Sequence, residues 1–258
     1  MDAGDESTGF SLTELLSEAV LAVATLTFWP IVDERSGATA LQRARALVFL
    51  PIVGLLLGVL LALADRSLAD ALGVGARSLV VMILASAATL GLGSRGLADT
   101  ADSLRLGSRP PATGIMKIGP VGALVAIVAF AFEVWCLAKI ADPAGRASAL
   151  VMAFLLSRWV IVPVGYGLKP IERWGLGVPY EGGITFREFA VSSVVALGLV
   201  MGLYQNVGLA VIVVLALLIL AMRLLLSRRL GGAPGFALAG ASALSELAVI
   251  AILAALRV

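Results

Sequence analysis

The chain has 258 residues, of which 60% are hydrophobic and 14% charged, with a net charge of +2 and a mean hydropathy of +1.04. A soluble domain is nearer about 45–50% apolar and about 25% charged, so this composition excludes a soluble fold and predicts an all-α, polytopic integral membrane helical bundle. The lack of any histidine removes imidazole metal ligands and Ser-His-Asp triads, the single Cys136 removes a disulfide framework, and no basic block points to a nucleic-acid partner.

Residues 1–18 form a polar, acidic segment without the basic start of a secretory signal, so no cleaved targeting segment is expected. The first apolar run, 19–32, is short against the roughly 20 residues of a membrane span, and only with the amphipathic residues before it does it reach that length. A polar stretch, 33–45, leads into a clear span at 46–64. There Pro51, Gly54 and Gly58 are expected to permit a kink and close helix packing. Residues 65–77 read as a loop and 79–93 as the next span, followed by a polar region carrying two aspartates. The runs 121–140 and 147–166 read as a hairpin turning through Asp142-Pro143-Ala144-Gly145. After the longest interior loop, 167–188, come spans at 189–203 and 207–226 joined at Gln205-Asn206, a glycine-rich turn over 228–235, and a last span at 236–256.

These elements predict a single integral membrane domain over 1–258 with about seven or eight transmembrane helices. Lysine and arginine accumulate in cytoplasmic loops. With eight spans one side receives Arg35, Arg43, Arg45, Arg95, Arg105, Arg109, Lys117, Lys169, Arg173, Arg187, Arg228 and Arg229, while the other receives little more than Arg66, Arg77, Arg146 and Arg257. The loops at about 94–120, 167–188 and 227–237 are therefore expected to share the cytoplasmic face of the cell membrane and to make the site.

Asp99 and Asp102 stand three apart, so on a helix both carboxylates share a face. Paired carboxylates suit Mg²⁺, which takes one or two of them together with substrate phosphates; the plainer reading is a solvated helix end. Glu246, within Ala243-Leu244-Ser245-Glu246-Leu247, is a carboxylate among apolar residues and should face the bundle interior. Glu133 and Arg158 are similar intramembrane charges that can pair with each other, and the Arg158 fork also matches phosphate oxygens.

Taken in order, these stretches resemble the cobalamin (5′-phosphate) synthase family, the adenosylcobinamide-GDP ribazoletransferases. Phe49-Leu50-Pro51-Ile52-Val53-Gly54 and Gly58 are similar to the early F-P-(L/I/V)-(I/V)-G-x-x-x-G span of that family. Gly96-Leu97-Ala98-Asp99-Thr100-Ala101-Asp102 resembles its signature D-G-L-A-D-T-x-D-G, the most specific piece. Ile115-Met116-Lys117, Ser157-Arg158, Gly175-Leu176-Gly177 and the region from Arg229 to Leu247 resemble later family patterns. The resemblance implies a membrane transferase in which α-ribazole or its 5′-phosphate attacks the pyrophosphate of adenosylcobinamide-GDP, with Mg²⁺, and releases GMP. It implies Asp99 and Asp102 as metal ligands, Lys117 and Arg158 as phosphate-binding groups, and Glu246 as an assistant to the metal or the nucleophile. Four family positions differ: acidic residues are replaced by Arg95, Ile118, Phe236 and Ala243. The partners implied are the corrinoid nucleotide and α-ribazole substrates, the lipid bilayer, other membrane enzymes of the pathway, and further copies of the chain. Two other readings stand beside this one. The chain can be a non-catalytic relative that keeps the fold, with Arg95 in the place of a metal, or a transporter whose Glu133, Arg158 and Glu246 line a path.

Overall fold

The computed structural model describes residues 46–106, 118–171 and 184–256; the run at 19–32, Lys117 and most of the long loop lie outside the described residues. After a 3₁₀ turn at Leu47–Phe49 the helices are α1 (Leu50–Ser67), α2 (Val74–Ala88), α3 (Leu92–Leu106), α4 (Pro120–Lys139), α5 (Pro143–Gly165), α6 (Phe186–Arg229) and α7 (Gly235–Leu256). The protein is an all-α multi-pass membrane bundle. Five of these helices are long and apolar enough to cross a membrane, and α2 with α3, bent by 82° at their junction, makes a sixth span if the pair is counted as one. Prolines start helices here because the first turn has no partner for their missing N–H groups. Pro120 and Pro143 open α4 and α5, and Asp142 caps α5 by accepting from the Gly145 amide at 2.7 Å. Pro51 also lies in a first turn, so the kink expected there is instead the beginning of α1.

Helix α5 is the axis of the bundle. Nearly every residue from Gly145 to Gly165 is buried, and α1, α7 and α6 pack around it. Such a helix is hydrophobic all round because every face meets protein. Its closest neighbour is α1, which approaches along Gly54 and Gly58. A Cβ on Gly54 would lie 2.3 Å from the Phe154 carbonyl oxygen, and one on Gly58 would lie 2.7 Å from the Val151 Cα. Small residues at a membrane helix interface let backbones touch, and packing replaces the hydrophobic drive that lipid does not supply. We expect Gly54→Ala to lower stability by about 1–3 kcal/mol, the usual cost of overpacking, visible as a lower unfolding temperature in detergent. An unchanged midpoint would show that α1 can retreat without penalty.

Helix α6, drawn straight, would be about 66 Å long, twice the roughly 30 Å hydrocarbon core. It folds back instead. Gln205 has a φ of +45°, and a Cβ on Gly208 would lie 3.0 Å from the Val200 carbonyl oxygen, although eight residues of unbroken helix separate atoms by about 12 Å. Both ends of α6 accordingly meet the C-terminus of α5. The Tyr166 ring stacks on Phe189 at 4.8 Å, and the Arg223 guanidinium donates to the carbonyls of Pro163, Val164 and Tyr166. These are the carbonyls left without helical donors at a helix end. The two spans expected around Gln205-Asn206 are thus the two arms of α6.

At the other end of the bundle Arg146, fully buried, holds Asp65 through two hydrogen bonds of 2.6 and 2.9 Å and donates also to Ser78 and the Leu137 carbonyl. Arg77 adds a second guanidinium 3.4 Å from the same carboxylate. This clasp ties α1, α2, α4 and α5, and it corrects the reading of 65–77 as a loop: α2 begins at Val74, since Arg77 turns inward to Asp65. The span also ends earlier than the expected Gly93, at Ala88. Outward faces carry the large apolar residues, as Leu124, Ile127, Val128, Phe132 and Trp135 do along α4, while Gly122, Glu133 and Cys136 of the same helix face in.

Candidate functional site

The candidate site is built on α3. Leu90 and Gly91, with φ values of +51° and +66°, turn the chain sharply after α2, so that α3 leaves at 82°. It then packs on the first turns of α7 through glycines on both sides. A Cβ on Gly96 would lie 2.5 Å from the Phe236 carbonyl oxygen, one on Gly240 would lie 2.8 Å from the Gly96 carbonyl oxygen, and Gly93 faces Ala243. Phe236, fully buried, anchors the start of α7, while Ile118 stays exposed ahead of α4. Two hydroxyls of α3 are spent within the helix: Thr100 donates to the Gly96 carbonyl at 2.6 Å and Ser103 to that of Asp99 at 2.7 Å. They leave the carboxylates as the groups with remaining capacity.

The two aspartates have different surroundings. Asp102 accepts the Gly119 amide at 2.6 Å and the Gly122 amide at 3.0 Å, so it caps the N-terminus of α4 from a neighbouring helix. Those amides are helix-end donors without intrahelical partners, and a negative charge there also complements the helix dipole. Both glycines are required by the approach: a Cβ on Gly122 would lie 2.4 Å from the Asp102 carboxylate. Asp99 is fully buried, yet neither of its oxygens has a hydrogen-bond partner. Its ion partner is Arg95, one turn back and partly exposed, with Nε 3.7 Å from Oδ2. That separation exceeds the roughly 2.7–2.9 Å of a direct charge-assisted hydrogen bond. A buried carboxylate with open lone pairs is costly unless a cation meets it. Its hard oxygens fit a Mg²⁺ ion shared with substrate phosphates and water. Among the described residues no three carboxylate or cysteine groups converge into a metal cage.

Deeper in the bundle lies a second charged group. Arg158 of α5 donates to Ser242 at 2.5 Å and lies 3.8 Å from Glu246, both on α7. Glu133 of α4 brings its carboxyl beside that of Glu246, with its Oε1 unpartnered. Glu246 does face the interior, and it, rather than the Glu133 that the sequence paired with Arg158, is the carboxylate within 4 Å of the guanidinium. Ser242 was not singled out by the sequence, although it stands one helical turn before Glu246 and therefore on the same face. A small pocket lined by Thr89, Gly93, Arg158, Ala239 and Ser242 connects this group to the underside of the α2–α3 bend.

Of the three stretches expected as site loops, 94–106 is helical, and short parts of the other two pair as strands. Pro170–Ile171 pairs in parallel with Ala233–Pro234, and the Ala233 amide donates to the Lys169 carbonyl at 3.0 Å, so the long loop and the glycine turn meet. Gly232 is pressed against that strand, where a Cβ would lie 2.4 Å from the Lys169 carbonyl oxygen. The start of α7, which follows directly, is the part that carries α3. Lys117 lies outside the described residues; Asp99, Asp102, Arg158 and Glu246 are all placed at this end or beneath it.

The family model for cobalamin-5-phosphate synthase matches residues 18–254. Among curated proteins the chain is similar to three named adenosylcobinamide-GDP ribazoletransferase. That of Syntrophobacter fumaroxidans is 32% identical, covering 91% of this chain and 95% of its own. That of Sinorhizobium medicae is 30% identical, over 94% and 98%, and that of Geotalea daltonii is 30% identical, over 82% and 87%. No solved structure matches the chain significantly.

Proposed function

The chain belongs to the cobalamin-5-phosphate synthase family, and from that premise and the geometry of α3 we propose that it is an adenosylcobinamide-GDP ribazoletransferase of the cell membrane with its site on the cytoplasmic face. The observation that carries the reading is Asp99, buried with both carboxylate oxygens unpartnered on α3, where that helix packs on α7. Asp99 would hold Mg²⁺, which when bound would neutralise pyrophosphate charge. Asp102 fixes the platform by clasping α4. Arg95 at the rim and Arg158 beneath supply positive charge, with Lys117 as a further phosphate-binding group. Glu246 holds the Arg158 guanidinium in place. A hydroxyl oxygen of α-ribazole or of its 5′-phosphate attacks the phosphorus on the corrinoid side of the pyrophosphate, a new P–O bond forms as the P–O–P bridge breaks, GMP leaves with the other phosphorus, and the hydroxyl proton passes to solvent. Transfers of this kind need mostly positioning and charge neutralisation, which a clasped platform over fixed cations supplies.

Orientation follows from charge. Arg95, Arg105, Lys169, Arg187, Arg228 and Arg229 lie at the α3 end of the bundle, as expected of a cytoplasmic face. The Arg95–Asp99 ion pair favours a second reading, a relative that keeps the fold and no longer turns over. One assay separates them. Detergent-purified protein given adenosylcobinamide-GDP, α-ribazole and Mg²⁺ is expected to release GMP, measured chromatographically. A folded, monodisperse sample that releases none in this assay or with α-ribazole 5′-phosphate would leave the non-catalytic reading.

A further inference from the structure

Asp99 presents an unusual balance. It is fully buried and accepts no hydrogen bond, while its carboxylate neighbour Asp102 is already held by two amides of α4. Its ion-pair partner among the described residues, Arg95, has a side chain 26% exposed and sits at 3.7 Å, near enough to neutralise the carboxylate and too far to bond it directly. Arg95 and Asp99 are one turn apart on the same face of α3, with the arginine side chain partly exposed and the carboxylate buried. The carboxylate is fixed by burial, and its helix is fixed by the glycine contacts to α7 and the Asp102 clasp on α4.

We infer that Arg95 is a resident counter-ion that a divalent cation must displace from Asp99, so that the site takes its metal as a complex with a pyrophosphate-bearing substrate rather than as the free ion. A free divalent cation meets the repulsion of the guanidinium and must break its pairing. A cation carrying pyrophosphate brings anionic oxygens that the displaced guanidinium can engage, since its planar fork matches phosphate. The ion pair then holds the buried carboxylate while the site is without substrate and becomes a phosphate contact when substrate arrives. This inference rests on Asp99 being the metal-binding group of the proposed function, and it concerns only how the metal is admitted.

The test uses Mn²⁺ alone as the probe, with the full chain in detergent and no nucleotide, following the free-ion signal by electron paramagnetic resonance. Arg95→Gln is expected to bind Mn²⁺ about tenfold more tightly than the natural protein, the size of losing one nearby positive charge in a partly exposed site. Arg95→Lys keeps the charge and should stay near the natural affinity, and Asp99→Asn should abolish the binding that Arg95→Gln gains. Equal or weaker Mn²⁺ binding by folded Arg95→Gln, or tight binding that survives in the Arg95→Gln/Asp99→Asn double variant, overturns the inference. Because no substrate is present, the result is independent of GMP release. Tightened binding with no turnover would remove the transferase reading and leave the counter-ion standing, and turnover with unchanged binding would do the reverse.

Discussion

Asp99→Asn is expected to lose GMP release by about 10³-fold or more while the protein remains folded, with an unfolding temperature equal to or above that of the natural chain. The two halves of this expectation come from one observation. The Asp99 carboxylate accepts no hydrogen bond and is fully buried, so it adds little to the fold and carries a desolvation cost. An amide of the same shape removes the charge without opening a cavity. What disappears is the capacity to hold a hard cation against a pyrophosphate, and most of the rate in such a transfer comes from charge neutralisation. A group retained at a cost to stability is characteristic of a functional position. The measurement is paired: GMP release at saturating Mg²⁺, and thermal unfolding in the same detergent. Natural activity in the folded variant would remove Asp99 from the site. A large fall in unfolding temperature would mean that the carboxylate is structural, as its neighbour Asp102 is.

The contrast between those two aspartates shows where sequence reading stops. Their spacing placed both on one face of a helix, and the structure keeps them there. What separates them is a contact across 17 and 20 residues of chain, the Gly119 and Gly122 amides, and nothing local in 99–102 announces it. The long-range clasp of Arg146 on Asp65, 81 residues apart, was hidden for the same reason. It also shifted an element boundary, because Arg77 read as a loop charge until its partner was known. Features set by periodicity and composition were legible: the apolar runs, the fold-back at Gln205-Asn206, the small residues Gly54 and Gly58 at a close helix contact, and the inward-facing Glu246. The strand pair that joins the long loop to the glycine turn, Pro170–Ile171 with Ala233–Pro234, was not, being two residues long with prolines in both strands.

Arg158→Met should lower stability by about 3–5 kcal/mol, the usual result of removing one partner from a buried ion pair. Methionine keeps the side-chain stem that packs where a Cβ on Gly54 would lie 2.9 Å from the arginine Cγ, so the substitution tests charge more than volume. Without the guanidinium, Glu246 and Glu133 face each other in the membrane interior with no cation, and Ser242 loses its donor. Removing one carboxylate should then relieve much of the damage. We expect Arg158→Met/Glu246→Gln to recover part of the lost stability, leaving the double variant more stable than the single one, read as the midpoint of unfolding in a mixed-detergent titration. This non-additivity is the signature of groups in one network. If the single variant unfolds at the natural midpoint, the cluster is solvated and not an interior ion pair. If the double variant is no better than the single, the guanidinium acts through Ser242 and the Phe154 ring, 5.7 Å from it, instead of through Glu246. Either outcome also bears on the site above, because Arg158 lines the small pocket under the α2–α3 bend, with Ser242 and Glu246 as its partners there.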